Sequence, residues 1–216
     1  MFGSWTFLFL CANIHEIKIM AVLYYNQSMS IENLSDEELI VKIREKDPEL
    51  YAEIIQRYQS KLSHYLRKFI KDFDEIEDVL QDIFIKTYKN LYGFNPDKRF
   101  SSWIYRIAHN EAINHIKKYY NRGRISFDEL EYEIIGEKMD LAERIDLKID
   151  REKIGLAFND LKLKYKEVIL LYYFEDRSYE EISDILRMPV STVGTYISRG
   201  KKQLKEILLK KYGREK

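Results

Sequence analysis

The sequence predicts an all-α protein built from two small helical domains joined by an acidic linker. Three observations carry that expectation. Apolar residues recur at helical spacing in several separate stretches, and no strand-like alternation runs beyond a few residues. Only three prolines and eight glycines among 216 residues leave room for long uninterrupted helices. The pattern Ser-x-x-Glu, in which hydroxyl and carboxylate satisfy each other's backbone amides at a helix start, opens a helix in each domain, at Ser35 and at Ser178. A change of character at 122–146 divides the chain into a first domain over 31–121 and a second over 147–216.

Residues 1–30 are an uncertain amino-terminal extension. The apolar run Met1 to Ile14 has no basic residue before it, as a secretory signal would. It is broken by Asn13, His15, Glu16 and Lys18, short of the roughly 20 apolar residues a bilayer span needs, so stable membrane insertion is not expected. A surface-binding segment and a packed first helix remain open, and an over-extended reading frame starting truly at Met29 or Met20 is the favoured reading.

The first helix is expected from Ser35 to about Glu45. Asp47 and Pro48 restart the chain as N-cap and first helical residue. Leu50, Ile54, Ile55, Tyr58, Leu62, Tyr65, Leu66 and Phe69 then mark a long amphipathic helix. Another runs from about Asp74 to Leu91, followed by a turn at Gly93–Asp97 and a further helix from Ser101 or Ser102 to about Tyr120. The linker begins basic (Arg122, Arg124) and turns acidic (Asp128, Glu129, Glu131, Glu133, Glu137). In the second domain, helices are expected over Ile149–Leu161 and Lys164–Phe174. A short helix follows from Ser178 to Leu186, then a turn at Arg187–Val190, and a last helix capped by Ser191 and reaching about Lys211. Ile182, Ile185, Leu186, Val190, Val193 and Ile197 are expected to form the seam between the last two.

Charge balance alone does not exclude a nucleic-acid partner, because 36 basic and 36 acidic residues can still be segregated. They are. Between Thr195 and Lys216 eight basic residues stand against two acidic ones. A basic run is usually a solvated helix face, but here it follows a helix-turn-helix layout. Ser191, Thr192, Thr195, Ser198, Arg199 and Lys202 lie on the outer face of the last helix, small and polar enough to approach base edges. Lys98 to Arg124 is the second informative stretch. Lys98, Arg99, Arg106, Lys117 and Lys118 are interleaved with Phe100, Trp103 and tyrosines, a mixture suited to following and stacking on a single strand. Aromatics at helical spacing are as often core, so composition leaves both readings open. By contrast, Asp74, Glu75, Glu77, Asp78 and Asp82 make one helix face acidic, suited to water or a basic protein surface.

Cys11 stands alone, which removes a disulfide framework and fits a reducing, cytoplasmic compartment. His15, His64, His109 and His115 lack metal-ligand spacing, and no phosphate loop or nucleophile motif occurs. No enzyme activity, cofactor, metal or small-molecule substrate is expected.

Three segments together resemble the sigma-70 superfamily of RNA polymerase sigma factors, in its extracytoplasmic-function (ECF) group. Glu77-Asp-Val-Leu-Gln-Asp-Ile-Phe-Ile-Lys-Thr-Tyr88 resembles the family's polymerase-binding helix in region 2. Phe100-Ser-Ser-Trp-Ile-Tyr-Arg-Ile-Ala-His-Asn110 resembles its promoter-melting segment. Tyr179 to Ser183 with Val190 to Arg199 resembles the helix-turn-helix of region 4. The resemblance spans roughly Leu34 to Leu209. It implies that Asp78, Leu80, Gln81, Asp82, Phe84 and Ile85 meet the clamp coiled coil of the polymerase β′ subunit. It implies that Asn95, Lys98, Arg99 and Phe100 hold a base flipped from the −10 element, with Trp103, Arg106, Asn110, Lys117 and Lys118 along the opened strand. The second domain would then sit on the β flap and read the −35 element. Promoter DNA and core polymerase are thus the implied partners, and an anti-sigma factor is common in the family. Such a partner would mask the helix near Asp78 or the reading helix near Thr195. Gly194 and Tyr196 depart from the family pattern, which commonly has basic residues there.

A helix-turn-helix regulator that does not bind core polymerase would explain the second domain but not the block from Asp72 to Asn110. An RNA-binding protein would share the basic-aromatic stretch but not the terminal helix-turn-helix.

Overall fold

The structure is a computed structural model that describes residues 31, 33–45, 47–120 and 151–212. The expected amino-terminal extension and the acidic linker lie outside the described residues. Within them the chain is helical throughout, without a strand.

The first domain holds α1 (Asp36–Glu45), α2 (Tyr51–Leu66), α3 (Phe73–Asn90) and α4 (Phe100–Tyr120). Ser35 and Glu38 exchange the two bonds of the anticipated capping box. Asp47 accepts from the Glu49 amide and opens a short 3-10 turn before α2. Asp72 caps α3 through the amides of Asp74 and Glu75. The core is a layer of Leu39, Ile40, Ile54, Leu62, Ile83, Ile104 and Ala108, all without solvent exposure. Arg57 ties the chain before α1 to α2, pairing with Glu53 and Asp36 and donating to the carbonyls of Ile31 and Leu34.

The start of α4 differs from expectation. It begins at Phe100, and neither Ser101 nor Ser102 caps it. The carboxylate of Glu37, on α1, accepts from the Phe100 amide at 2.7 Å. A negative group at a helix N-terminus is favoured by both the free amide and the helix dipole. The cap comes from 63 residues away, which no local pattern encodes.

The second domain holds α5 (Arg151–Asn159), α6 (Leu163–Ile169), α7 (Tyr179–Leu186) and α8 (Val190–Tyr212). The helix expected to reach Phe174 is α-helical only to Ile169, and Leu170–Phe174 widens into a π turn. The Ser178–Glu181 capping box is present. Arg187 ends α7 in the left-handed region at φ 52°, turning the chain toward α8. Ser191 does not cap α8. The helix opens one residue earlier, behind Pro189, and the Ser191 carbonyl accepts from Thr195 Oγ1. Val190, assigned to the inter-helix seam, is exposed instead, because it sits at the first helical position on the outer side of the turn. Ile182, Ile185, Val193 and Ile197 are buried there as expected.

The two departures at Gly194 and Tyr196 have packing causes. A Cβ at Gly194 would lie 3.3 Å from the Tyr179 ring, so glycine lets α7 rest against α8. Tyr196 packs edge-on against Tyr165 of α6, its ring 5.5 Å from the Lys164 ammonium.

Candidate nucleic-acid and polymerase surfaces

Three surfaces gather the residues singled out from sequence. On α3, Asp78, Gln81, Asp82 and Ile85 are exposed along one edge with Glu77. Leu80 and Phe84 are buried but reach the floor of a groove of about 680 Å³ between α2 and α3. Arg67 and Gln59 stand on its α2 wall, and Phe73, more than half exposed, at its mouth. Glu75 is drawn aside by His115 at 3.2 Å. An acidic rim beside an apolar floor suits a helical partner carrying basic and apolar side chains.

The second surface is a cleft of about 230 Å³ at the N-terminal end of α4, lined by Gly93, Phe94, Asn95, Lys98, Arg99, Ser102, Trp103 and Arg106. Phe100 lies beneath it, fully buried and packed edge-on against Phe94 and Tyr58. It therefore supports the cleft and does not line it. Trp103 is half-buried, leaning on Phe94 and Phe100 at centroid separations of 5.2 and 5.6 Å. The loop carrying Phe94 and Asn95 is held by Arg44, whose guanidinium donates to the carbonyls of Leu91 and Phe94 and lies 5.9 Å from the Phe94 ring. Asn95 closes the loop by accepting from the Asp97 amide at 3.0 Å. Ser102 is 3% exposed, yet its hydroxyl has no hydrogen-bond partner. Ser102 also lines the cleft, so its hydroxyl is placed to hydrogen-bond the polar edge of a ligand seated there. Asn110, Lys117 and Lys118 continue along the exposed side of α4. Lys117 lies about 16 Å beyond Arg106 at helical rise, on the same rod but outside the cleft.

The third surface is the outer face of α8. Ser191, Thr195, Ser198, Arg199 and Lys202 are exposed and Thr192 half-buried. No cation intrudes among the small hydroxyls before Arg199, so the first two turns can approach a groove closely.

Sequence reasoning missed Ser102, Arg44 and Glu37. Ser102 read as a helix start, and the other two act across more than 45 residues of chain. It also missed Asp184, which comes from α7 to complete the cleft wall. The second domain packs against α4 and the end of α2. The Tyr105 hydroxyl donates to Glu175 at 3.2 Å, Lys68 stands 3.4 Å from the same carboxylate, and the Arg177 guanidinium lies 3.9 Å over the Tyr105 ring. Burial pushes the Tyr105 phenol up to about 12, with the Glu175 carboxylate adding to the rise.

Burial also raises the Glu175 carboxyl above the ordinary carboxylate value, against the pull of Lys68, the Tyr105 hydroxyl and His64. A carboxyl with a raised folded value stabilises the fold fully below its unfolded value, and loses that contribution as pH rises through the raised one. Wild type is therefore expected to gain stability relative to Glu175→Gln as pH falls from about 7 to about 4, read from urea midpoints. A difference that does not change with pH would contradict this.

Among the described residues no group of His, Cys, Asp and Glu could hold a metal ion, and no helix is long and apolar enough to cross a membrane.

Comparison with known proteins agrees with this layout. The sigma-70 region 2 family model matches residues 54–122, and the sigma-70 region 4 model matches 151–204. The ECF RNA polymerase sigma factor SigW of Bacillus subtilis is 31% identical over 179 residues, covering 78% of this chain and 94% of the relative. The ECF RNA polymerase sigma-E factor of Haemophilus influenzae is 29% identical, covering 80% and 95%. In fold, the chain is similar to CnrH in complex with the cytosolic domain of CnrY, with a TM-score of 0.58 at 22% identity over 82% of this chain and 98% of that one. It is also similar to the sigma factor RpoE in complex with the anti-sigma factor NepR from Bartonella quintana, with a TM-score of 0.55 at 20% identity over 75% and 98%. A region 2 bundle with its basic cleft, a region 4 helix-turn-helix, and a relative matched along nearly its whole length together make this chain a member of the sigma-70 superfamily, in its ECF group.

Proposed function

We propose that the chain acts as a promoter-specificity subunit through these three surfaces. The exposed edge of α3 and its groove engage the β′ clamp coiled coil of core RNA polymerase. The outer face of α8 reads the −35 element in the major groove, with the second domain on the β flap. The cleft at Asn95–Arg106 takes an unpaired base of the −10 element. The observation that carries the last assignment is the unpartnered Ser102 hydroxyl in a wall of cations and half-buried tryptophan. Flipping a base out costs a few kcal/mol of stacking, which a pocket offering an aromatic face, cations for phosphate and one unused hydroxyl can offset. Sigma factors are regulators and not enzymes, so the chemistry of RNA synthesis belongs to the polymerase. One solved relative is bound to an anti-sigma factor, and an equivalent partner for this chain would mask the α3 edge or the α8 face.

The test is promoter-dependent transcription by core polymerase on DNA from the source genome, with two variants beside wild type. Asp78→Ala is expected to weaken core binding by about tenfold, near 1.4 kcal/mol, as removal of a complementary interface charge does. Ser102→Ala is expected to leave stability unchanged or slightly higher, since the hydroxyl bonds to nothing in the fold, while reducing open-complex formation. If the protein shifts duplex DNA but never joins core polymerase, the regulator reading replaces this one.

A further inference from the structure

The first two turns of α8 carry small hydroxyls and no charge. No lysine or arginine stands between Arg187 and Arg199. Arg187 ends α7 in its left-handed turn, within electrostatic reach of Arg106 on α4. A helix seated in a duplex groove runs between two phosphate ridges, and contacts to them supply much of the affinity. The cation for this part of α8 must come from another element.

α6 supplies one. Gly200 is buried where α8 crosses α6, and its missing side chain lets the helices close until a Cβ there would stand 3.1 Å from Tyr165 Cβ. One turn earlier on α8, the Tyr196 ring meets the Tyr165 ring edge-on, with centroids 5.6 Å apart. The Lys164 ammonium rests against both, 5.2 Å from the Tyr165 centroid and 5.5 Å from that of Tyr196. Aromatic faces attract a cation at such distances. Lys164 is exposed, and among the described residues no carboxylate is paired with it.

Tyr196 borders the reading face. It lies one turn from both Thr192 and Arg199, and about 100° round the helix axis from Thr195. Gly194, which faces α7, lies about 160° away on the other flank. The ammonium held by Tyr196 therefore stands beside the uncharged turns, on the α6 side.

From this arrangement we propose that Lys164 is a phosphate clamp for duplex DNA seated on α8, with Tyr165 and Tyr196 as the residues that position it. The proposal rests on the reading role of α8. Lysine ordinarily gives up much rotamer freedom on gripping a phosphate. One already resting on two rings has less to lose, so its contact is stronger than that of a free surface lysine. The plain alternative is a solvated lysine beside a tyrosine pair, and it predicts no contribution to binding. Lys153 provides the comparison. Its ammonium lies 5.4 Å from the Tyr212 ring, about 24 Å further along α8 at helical rise.

The test follows the anisotropy of a fluorescein-labelled random-sequence duplex of about two helical turns, titrated with the full chain over a series of NaCl concentrations. Lys164→Gln is expected to lower the slope of log affinity against log salt by about one, and the affinity at about 0.1 M salt by about five- to tenfold. Lys164→Arg keeps both near wild type. Lys153→Gln removes the same charge from the same kind of aromatic contact and leaves the slope unchanged. Tyr196→Phe binds as wild type does, while Tyr196→Leu loses about threefold because the ammonium is no longer held. A wild-type slope in Lys164→Gln overturns the clamp, and so does an equal fall in Lys153→Gln. A Tyr196→Leu protein with wild-type affinity removes the positioning role of the ring. Arg199→Ala separates the clamp from the reading role of α8. If Arg199→Ala weakens binding and Lys164→Gln does not, α8 still meets the duplex and only the clamp fails. If neither variant weakens binding, or wild type does not bind, the reading role of α8 falls with it.

Discussion

Gly200→Val is expected to abolish stable folding of the second domain, and Gly200→Ala to cost up to about 2 kcal/mol, measured as urea-midpoint shifts. Gly200 sits in the middle of α8 and is buried where that helix crosses α6. A Cβ there would lie 2.6 Å from Ile169 Cδ1 and 3.1 Å from Tyr165 Cβ. The Ile169 methyl is the free end of a side chain and can swing away. Tyr165 Cβ is fixed to the backbone, so the helices themselves must part. Overpacking of this kind costs about 1–3 kcal/mol, against which alanine's better helix propensity returns about 1. Valine adds two further carbons to the same crossing and loses the offset through its branched Cβ. Because a domain's whole stability is only about 5–15 kcal/mol, the valine variant leaves little margin. Gly194→Ala is the control on the same helix. Its Cβ meets only the Tyr179 ring, which is half-exposed and can yield, so near-neutrality is expected. A Gly200→Ala protein more stable than wild type would show that the crossing is looser than its geometry indicates.

The contrast between these glycines also measures what sequence could convey. Both were visible as glycines in a helical pattern, and their helix could be placed because apolar spacing and the Ser178 box are local signals. What each glycine faces is decided by α6 and α7, and no local pattern encodes that. The same division runs through the candidate sites. The exposed edge of α3 and the outer face of α8 follow from helical periodicity, and the residues on them lie where spacing placed them. The cleft does not follow from periodicity. Its loop was marked by Gly93 and Asn95, but its shape depends on Arg44 and Glu37 of α1, and its closure on Asp184 of α7. Basic-aromatic composition between Lys98 and Lys118 left core and contact roles undivided. Packing separates them, with Phe100 and Tyr105 buried, Trp103 between, and Arg99 outermost.

Arg44→Ala should therefore damage the cleft more than any change within it, by about 2–4 kcal/mol of stability and more than tenfold in single-strand capture. The Arg44 guanidinium is a single group serving two carbonyls, those of Leu91 and Phe94, at the two ends of the turn that carries the cleft loop. Truncation leaves both acceptors without a partner, at about 1–3 kcal/mol for each that stays buried. The loop can avoid that penalty only by opening to water, which moves Phe94 away from Trp103 and Phe100 and widens the cleft. Stability is lost along the first route and the pocket along the second. Lysine restores the charge but not the planar fork, so Arg44→Lys should recover part of the stability and little of the binding. The edge of α3 and the face of α8 do not depend on this turn, so core-polymerase binding and duplex binding should persist. An Arg44→Ala protein that forms open complexes at the wild-type rate would show that the loop finds its shape without the arginine, and would move the origin of the cleft to Asn95 and Phe100.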